Sequence, residues 1–432
     1  MTIRSLTLVA ALFAAVLADA AEIPAFHPTV EAALAQAHAV LVERFLPADG
    51  LLLDYVGELP TPKDCAEGRP NAIGWWSPIE NGPMFTGPYL AAMCEKARRG
   101  GAAAADRALC AKLARGLVKA ASVSDVPGMI VRGFGSDGRC HYPLGSEDQT
   151  LPWYFGLHAY VRSGLPNADA KAAIVAKMRE VTDAIVAAGW GCPCDGRFKG
   201  QFRGRLLRTE RAGLAFRDVS HYLFVLRAMA DVTGDAVWRE RYEKACGEVY
   251  ADTGMTRLEV CAKGYVSDFG KFDVEPSGMW IYVCAQGCLR ALADGETDAW
   301  RRRFFLAGLK VNAVRASKFF GDAAKYDNST ERPFKYANWR TGYRWEDQPT
   351  QKIAEKVANT GDRTILGTRK GFERRWMTSP LACCAVAAFD RDESRREAIS
   401  SVIRHYDYST LNVSEFFFAE VAWYALPVQS RR

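Results

Sequence analysis

The stretch that decides the fold is 219–251, which reads VSHYLFVLRAMADVTGDAVWRERYEKACGEVYA. Its first part, 219–231, is apolar on nearly every side, whereas its second part, 235–251, carries charged residues such as Arg239 and Glu243 on one face. A helix that is apolar all round is buried all round, and a helix with one charged face lies at the surface. The short connector Thr233-Gly234-Asp235 joins antiparallel helices. The stretch therefore predicts a hairpin of one buried and one surface helix.

The same pairing of helices recurs six times along the chain. Amphipathic segments lie at 27–46, 103–121, 168–188, 235–251, 297–320 and 392–406, and apolar segments at 84–98, 150–163, 219–231, 278–293, 381–389 and 412–426. Connectors from an apolar to an amphipathic segment are short, and those in the other direction are mostly long. Antiparallel helices place all connectors of one kind at the same end. We expect an all-α fold of six helical hairpins, with an inner and an outer ring and the long loops on one face.

Composition and charge limit the class of protein. A chain of 432 residues with 49% hydrophobic and 25% charged residues is globular rather than disordered. Residues 1–20 resemble a signal peptide, because Arg4 precedes an apolar run and Ala18-Asp19-Ala20 is a cleavage site. We predict a single domain over 21–432 that is secreted or periplasmic, with no membrane span elsewhere. The net charge of +6 is small for this length and does not indicate a nucleic-acid partner.

The 12 cysteines are interpreted mainly as core residues. Export permits disulfides, and we expect one that involves Cys140, Cys192 or Cys194, with a partner that the sequence does not identify. Cys284 and Cys288 lie in an apolar run, where a buried cysteine behaves as a small hydrophobic residue. The spacing of Cys192 and Cys194 is too short for a usual zinc site. We therefore predict no metal and no cofactor.

The stretch 132–154 gathers polar and aromatic residues ahead of an apolar helix. Asp148 lies at the predicted first turn of that helix, and a helix cap by Asp148 or Ser146 is the alternative interpretation. Cleavage of a glycosidic bond needs one acid and a second carboxylate. Partial burial beside Trp153 would raise the pKa of Asp148, as a general acid requires, whereas the helix N-terminus favours the anion.

Three further residues at the starts of apolar segments are predicted, with Asp148, to be catalytic: Glu80, Asp218 and His221. Asp218 precedes His221 by three residues, so both side chains lie on one helix face. A carboxylate in that position sets the tautomer of a histidine. A satisfied core histidine is the alternative interpretation of His221.

Aromatic and polar residues of the long connectors are predicted to bind the substrate. Aromatic rings suit the apolar faces of sugars, and arginine pairs with carboxylate or sulfate through two hydrogen bonds. The stretch 197–217 holds seven Lys or Arg against one acid, which favours an acidic substrate, although a solvated loop has the same composition. The predicted residues are Trp75, Trp76, Arg132, Asp137, His141, Tyr142, Gln149, Trp153, Arg203, Arg205, Trp339 and Trp345.

The chain resembles the six-hairpin (α/α)6 toroid of glycosidases and some polysaccharide lyases. The resemblance rests on the six repeated helical hairpins and on the segment Gly145-Ser146-Glu147-Asp148-Gln149-Thr150-Leu151-Pro152-Trp153-Tyr154. Unsaturated uronyl hydrolases of that fold use Asp residues at inner-helix starts, a place similar to that of Asp148. The resemblance implies an exported hydrolase of uronate-containing or sulfated oligosaccharides. A polysaccharide lyase with Tyr142 or His221 as base, a sugar epimerase and a non-catalytic glycan-binding protein remain alternatives, since fold alone does not give function.

Overall fold

The computed structural model describes residues 23–207, 215–250, 253–267, 276–329, 339–340, 346–365 and 371–428. The predicted signal peptide lies outside these residues. The described chain is mostly helical, and each of the twelve predicted segments contains a helix. None of its helices has the length and hydropathy that a membrane crossing requires.

The elements follow in chain order, with three additional helices inside the long connectors. The helices are α1 (Val30–Arg44), α2 (Pro62–Glu67), α3 (Gly82–Arg99), α4 (Ala104–Ala120), α5 (Glu147–Arg162), α6 (Ala168–Ala187), α7 (Phe216–Thr233), α8 (Ala236–Gly247), α9 (Arg257–Lys263), α10 (Val283–Gly295), α11 (Ala299–Ser317), α12 (Gln351–Ile365), α13 (Ser379–Ala388), α14 (Arg396–His405) and α15 (Phe418–Ala425). Between α6 and α7, strands β1 (Gly191–Pro193) and β2 (Phe202–Arg205) pair antiparallel, with Gly191 opposite Arg205.

The apolar helices form the core, as their composition predicts. In sequence order each of α3, α5, α7, α10, α13 and α15 packs against the next, and α15 packs against α3. Residues 381–388 and 416–422 are at most 2% exposed. The prediction that these segments are buried is confirmed. Their burial follows from the absence of a polar face that water could solvate.

A close approach of α3 and α5 depends on two glycines. A Cβ on Gly87 would overlap the backbone oxygen of Pro152, and a Cβ on Gly156 would lie 2.8 Å from the Cα of Gly87. The two backbones therefore touch at a point where any side chain would separate the helices. This contact fixes the distance between the helix starts that carry Glu80 and Asp148.

A buried carboxylate joins the last apolar helix to the first. Glu420 of α15 is 1% exposed, and it accepts a hydrogen bond of 2.9 Å from the hydroxyl of Tyr89 on α3. Nδ1 of His38 on α1 lies 3.0 Å from the same carboxylate. A buried charge is tolerated only when such partners satisfy it, so these contacts fix α15 against both α1 and α3.

The amphipathic helices pack against the apolar ones. On α6, Ile174, Met178, Val181 and Ile185 are buried at the predicted spacing, while the other face is solvated. Helix α6 contacts α5 and α7, and α4 contacts α3 and α5. Side-chain caps at Thr29, Asn167 and Asp298 begin α1, α6 and α11.

The long connectors meet one another near the starts of the apolar helices. The indole N–H of Trp76 donates to the backbone oxygen of Ala358 at 2.6 Å, which joins the first connector to α12 in the fifth. Arg203 lies 3.3 Å from Glu355, so the third connector reaches the fifth as well. These contacts bring together loops that are far apart in the sequence.

The expected disulfide is not formed, because all 12 cysteines are free thiols in the structure. Cys192 and Cys194 lie two residues apart at β1 and just after it, and neither is bonded to Cys140. The Cys140 thiol instead interacts with that of Cys65 and lies 3.5 Å from the backbone oxygen of Pro60. The sequence does not predict that Cys65 lies beside Cys140, because the two residues belong to different connectors that meet only in the folded chain.

Candidate active site

Three carboxylates from two neighbouring helix starts surround the guanidinium of Arg217. Its nitrogens lie 3.4 Å from Oδ1 of Asp148, 3.9 Å from Oε1 of Glu147 and 3.5 Å from Oδ1 of Asp218. Glu147 and Asp148 begin α5, while Arg217 and Asp218 begin α7. The Asp148 side chain is 31% exposed and that of Arg217 is 23% exposed, so solvent reaches the cluster. We call these four residues the carboxylate cluster.

Buried Arg132 holds the starts of α3 and α5 together. It donates to the backbone oxygen of Glu80 at 3.0 Å and to Oγ of Ser146 at 2.9 Å, and it is 1% exposed. Burial, and then the charge of Arg203, lower the pKa of Arg132 to about 10, so it stays charged at neutral pH. Ser146 is therefore bound to Arg132 and makes no side-chain cap of α5. Arg132 positions the site and does not face a substrate.

The pKa values of Glu147 and Asp148 are shifted in opposite directions. Burial, and then the adjacent Asp148, raise the pKa of Glu147. Burial also raises the pKa of Asp148, but Arg217, Arg132 and Arg203 outweigh it, and the pKa lies below its ordinary value. The sequence left the direction of the pKa shift at Asp148 open, and the neighbouring arginines decide it. Trp153 follows five residues later on another face of α5, is fully buried and donates to the backbone oxygen of Leu117 at 2.7 Å.

Strand β2 covers the carboxylate of Glu147. Gly204 has a φ of +80°, and a Cβ there would overlap Oε2 of Glu147. Glycine is favoured by both the left-handed conformation and the close approach. Beside it, Arg203 lies over the ring of Trp75, with its Cζ 5.6 Å from the ring centre. The strand thus partly shields Glu147 from water and places a cation and an aromatic ring next to the cluster.

Glu80 and Gln149 are both buried, and each accepts a hydrogen bond from a backbone N–H group. Oε2 of Glu80 accepts a hydrogen bond of 2.9 Å from the backbone N–H of Trp76, and Glu80 is 6% exposed. The Gln149 amide oxygen accepts from the N–H of Met84 at 3.2 Å, and Gln149 is fully buried. Glu80 was predicted to be catalytic and Gln149 to bind substrate; in the structure Glu80 is bonded within the first connector, and Gln149 joins α5 to α3.

Most of the predicted aromatic residues are in the core. Trp76 is 8% exposed, and Trp339 is fully buried with its indole N–H donating to the backbone oxygen of Glu58 at 3.0 Å. Tyr142 is 1% exposed and donates to the backbone oxygen of Arg69. The long connectors thus bury these three rings, and their contact with a substrate stays a prediction. Trp75 is partly exposed, and Trp345 lies outside the described residues.

The hydrogen-bond partners of Asp137, His141 and Arg205 lie outside the cluster. Oδ1 of Asp137 accepts hydrogen bonds from the N–H groups of Arg139 and Cys140 at 2.9 and 2.8 Å, and these bonds lower its pKa to about 2. His141 pairs with Asp195 at 2.7 Å. Arg205 is exposed on β2 and donates to the backbone oxygen of Gly189 at 3.0 Å.

The basic stretch 197–217 is less free than its sequence indicates. Arg197 pairs with Asp347 at 2.9 Å, and Lys199 pairs with Asp125 at 2.9 Å. Arg203 and Arg217 also have the acidic partners given above. The number of basic residues in 197–217 does not show how many of them are paired, because their acidic partners lie in other connectors. Arg208 and Arg211 lie outside the described residues.

His221 does not bind Asp218 as predicted. Both of its ring nitrogens are buried without a hydrogen-bond partner, because Asp218 turns towards Arg217. Burial, and then the charge of Arg217, lower the pKa of His221 to about 3. Its ring lies instead in a group with Cys284 and Cys288 of α10, whose ligand atoms are all within 4.8 Å of one another. Sequence reasoning placed those two cysteines in the core and missed the group.

Three further charged residues at this end were also missed. Glu147 stands beside Asp148 in the quoted phrase, and Arg217 ends the basic stretch, so both were visible but not assigned. Arg374 pairs with Glu415 at 2.9 Å and lies over the ring of Trp280, and the closing residues of three connectors meet there. No local sequence signal marks Arg374, since its partners lie far along the chain.

Comparison of the chain with protein-family models gave no match, and neither did comparison with curated proteins or with solved structures. The assignment of a function therefore depends on the geometry of the carboxylate cluster.

Proposed function

We propose that the protein is an exported hydrolase that cleaves glycosidic bonds in acidic oligosaccharides. The observation that carries the proposal is the carboxylate cluster, with its pair of adjacent acids whose pKa values are shifted apart. In this role Glu147 is the general acid, and Asp148 is the base or nucleophile. Arg217 holds both carboxylates in place.

The opposite pKa shifts support this division of roles. A general acid must keep its proton near neutral pH, which burial and the charge of Asp148 favour at Glu147. A base or nucleophile must be ionised, which Arg217 favours at Asp148. Pairs of carboxyls whose surroundings shift their pKa values apart are typical of acid–base catalysts, including glycosidases.

The surroundings of the cluster support an acidic sugar as substrate. Trp75 is partly exposed beside Arg203, and Arg205 follows on the same strand. The partner of Arg203, Glu355, has a side chain that is 46% exposed, so its ion pair contributes little free energy. We propose that a carboxylate or sulfate of the substrate replaces Glu355 on Arg203 while the sugar ring lies on Trp75.

A lyase has less support from the site. Elimination needs a base that reaches a carbon-bound proton of the uronate. Tyr142 is buried and hydrogen-bonded to the backbone, and His221 is 4% exposed. A lyase also needs a cation that neutralises the uronate carboxylate, and Arg132, which could serve that purpose, is buried as well. The carboxylate cluster is the part of this end that combines paired acids with access to solvent.

The decisive experiment is a screen of the full protein against intact acidic glycans and their lyase-generated unsaturated fragments. We expect release of reducing sugar, or loss of ultraviolet absorbance where an unsaturated uronyl group is removed. Glu147→Gln and Asp148→Asn should each lower kcat by roughly 10²- to 10⁴-fold. The matched control is Asp347→Asn, whose side chain is 74% exposed and pairs with Arg197 outside the cluster.

Each other result contradicts the proposal in its own way. Full activity in both cluster variants would remove these residues from catalysis. A gain of ultraviolet absorbance on an intact glycan would identify a lyase. An inverted stereocentre without cleavage would identify an epimerase, and glycan retention without turnover would identify a binding protein.

We also propose that the twelve helices of the predicted segments form an (α/α)6 toroid. The support is the sequence of contacts among the apolar helices, the return from α15 to α3, and a cavity lined by Pro88, Phe155, Gly287, Phe389 and Val421 from or next to five of these helices. A crystal structure with an open row of hairpins would reject it. Export is tested by sequencing the mature N-terminus, which should follow Ala20 or Ala21.

A further inference from the structure

We propose that His221, Cys284 and Cys288 bind a zinc ion between α7 and α10. Their ligand atoms lie within 4.8 Å of one another, and the two sulfur atoms are 4.0 Å apart. Zinc–sulfur bonds of about 2.3 Å in a tetrahedral site place two thiolates close to 4 Å apart. The side chains therefore need only small movements to reach one ion.

The unsatisfied imidazole of His221 is a second, independent sign of a ligand. His221 is 4% exposed, and neither ring nitrogen has a hydrogen-bond partner. Each ring nitrogen of an imidazole is either a hydrogen-bond donor or an acceptor, and buried donors and acceptors normally have a partner. A metal bond to one nitrogen would satisfy it at the position where the two thiols lie.

Helix geometry explains how Cys284 and Cys288 come together. They lie four residues apart on α10, so both side chains are on one face. Helix α7, which carries His221, packs against α10. Cys284 and Cys288 are 4% and 0% exposed, so the ion would lie in the protein interior.

The charge of the site fits a divalent ion. Binding Zn²⁺ releases two thiol protons to solvent and forms two zinc–thiolate bonds and one bond from an imidazole lone pair. The bound set is then neutral, which suits a buried position. Three protein ligands leave a fourth position for water or another group, the composition of open zinc sites with two Cys and one His.

The test is the metal content of the full protein, measured without any substrate. After zinc loading and dialysis, we expect about one zinc ion per chain in the wild type. Cys284→Ser and Cys288→Ser should lose the ion. The matched control is Cys383→Ser, which changes an equally buried cysteine of α13 outside the group and should retain it.

Cobalt(II) gives a second measurement that needs no variant. A wild-type protein loaded with cobalt should show the sulfur-to-cobalt charge-transfer absorption of a thiolate site. Zinc at the level of the buffer blank, no cobalt absorption, or a Cys284–Cys288 disulfide in the isolated protein would each overturn the proposal. Because no activity is measured, these results are separate from the fate of the proposed hydrolase.

Discussion

At the scale of single residues, the nearest cation decides how a carboxyl behaves. Glu147 and Asp148 are adjacent on α5 and contact the same guanidinium, yet their pKa values shift in opposite directions. Asp148 lies closer to Arg217, and the charges of Arg132 and Arg203 also lower its pKa. Glu147 lies under β2, where burial raises its pKa. The difference comes from packing around each side chain and not from residue type.

This difference predicts opposite effects on stability. Since the pKa of Glu147 is raised in the folded state, the protein loses stability as pH rises above the ordinary value of 4.5. Glu147→Gln should therefore raise the free energy of unfolding at neutral pH more than at about pH 4. Urea unfolding at both pH values measures it.

Asp148→Asn is the matched opposite. The lowered pKa of Asp148 gives stability that is present above the ordinary value of 3.8 and lost as pH falls through the folded value. The variant should be destabilised at neutral pH and less so in acid.

The opposite outcome for Glu147→Gln would contradict the raised pKa of Glu147. A loss of stability from this substitution that is greatest at neutral pH would show that the fold favours the ionised form of Glu147.

At the scale of elements, the contact of α3 with α5 positions the helix starts. Gly87→Ala places a methyl group against the backbone at Pro152. We expect it to lower the free energy of unfolding by about 1–3 kcal/mol, the cost of overpacking. Thermal or urea unfolding measures the change.

The control is Gly247→Ala at the end of α8, where a Cβ would contact nothing within 4 Å. Its higher helix propensity should leave stability unchanged or raise it by up to about 1 kcal/mol. Equal effects of the two substitutions would mean that α3 and α5 do not touch at Gly87.

At the scale of the whole molecule, ion pairs between connectors link distant parts of the chain. His141 and Asp195 come from the second and third connectors, and their side chains are 14% and 10% exposed. Burial lowers the pKa of His141, but the hydrogen bonds to Asp195 and to the backbone oxygen of Arg139, together with the charge of Asp195, outweigh it, and the pKa is raised above 6.5. The pair therefore stabilises the fold fully below that value and less as pH rises through the folded value.

His141→Gln should consequently cost more stability at about pH 5.5 than at about pH 8.5. Unfolding by urea at the two pH values gives the difference, and Asp195→Asn should remove most of it. The same cost at both pH values would show that His141 is not protonated in the pair.

The sequence by itself determined the helices and their burial. The periodicity of segments such as α6, and the all-apolar runs 381–388 and 416–422, depend on local composition, and water sorts helix faces without reference to partners. The position of Asp148 at a helix start was also visible, because turn residues precede an apolar run.

Only the tertiary structure decided which side chains meet. Arg217 reaches acids of α5, Trp339 is buried against Glu58, and His221 faces Cys284 and Cys288 rather than Asp218. Each of these contacts joins residues that are distant in the chain, and a pattern read along one segment carries no information on its neighbours across space. Because burial and charge act through those neighbours, the pKa values of the site and the role of each aromatic ring followed from packing alone.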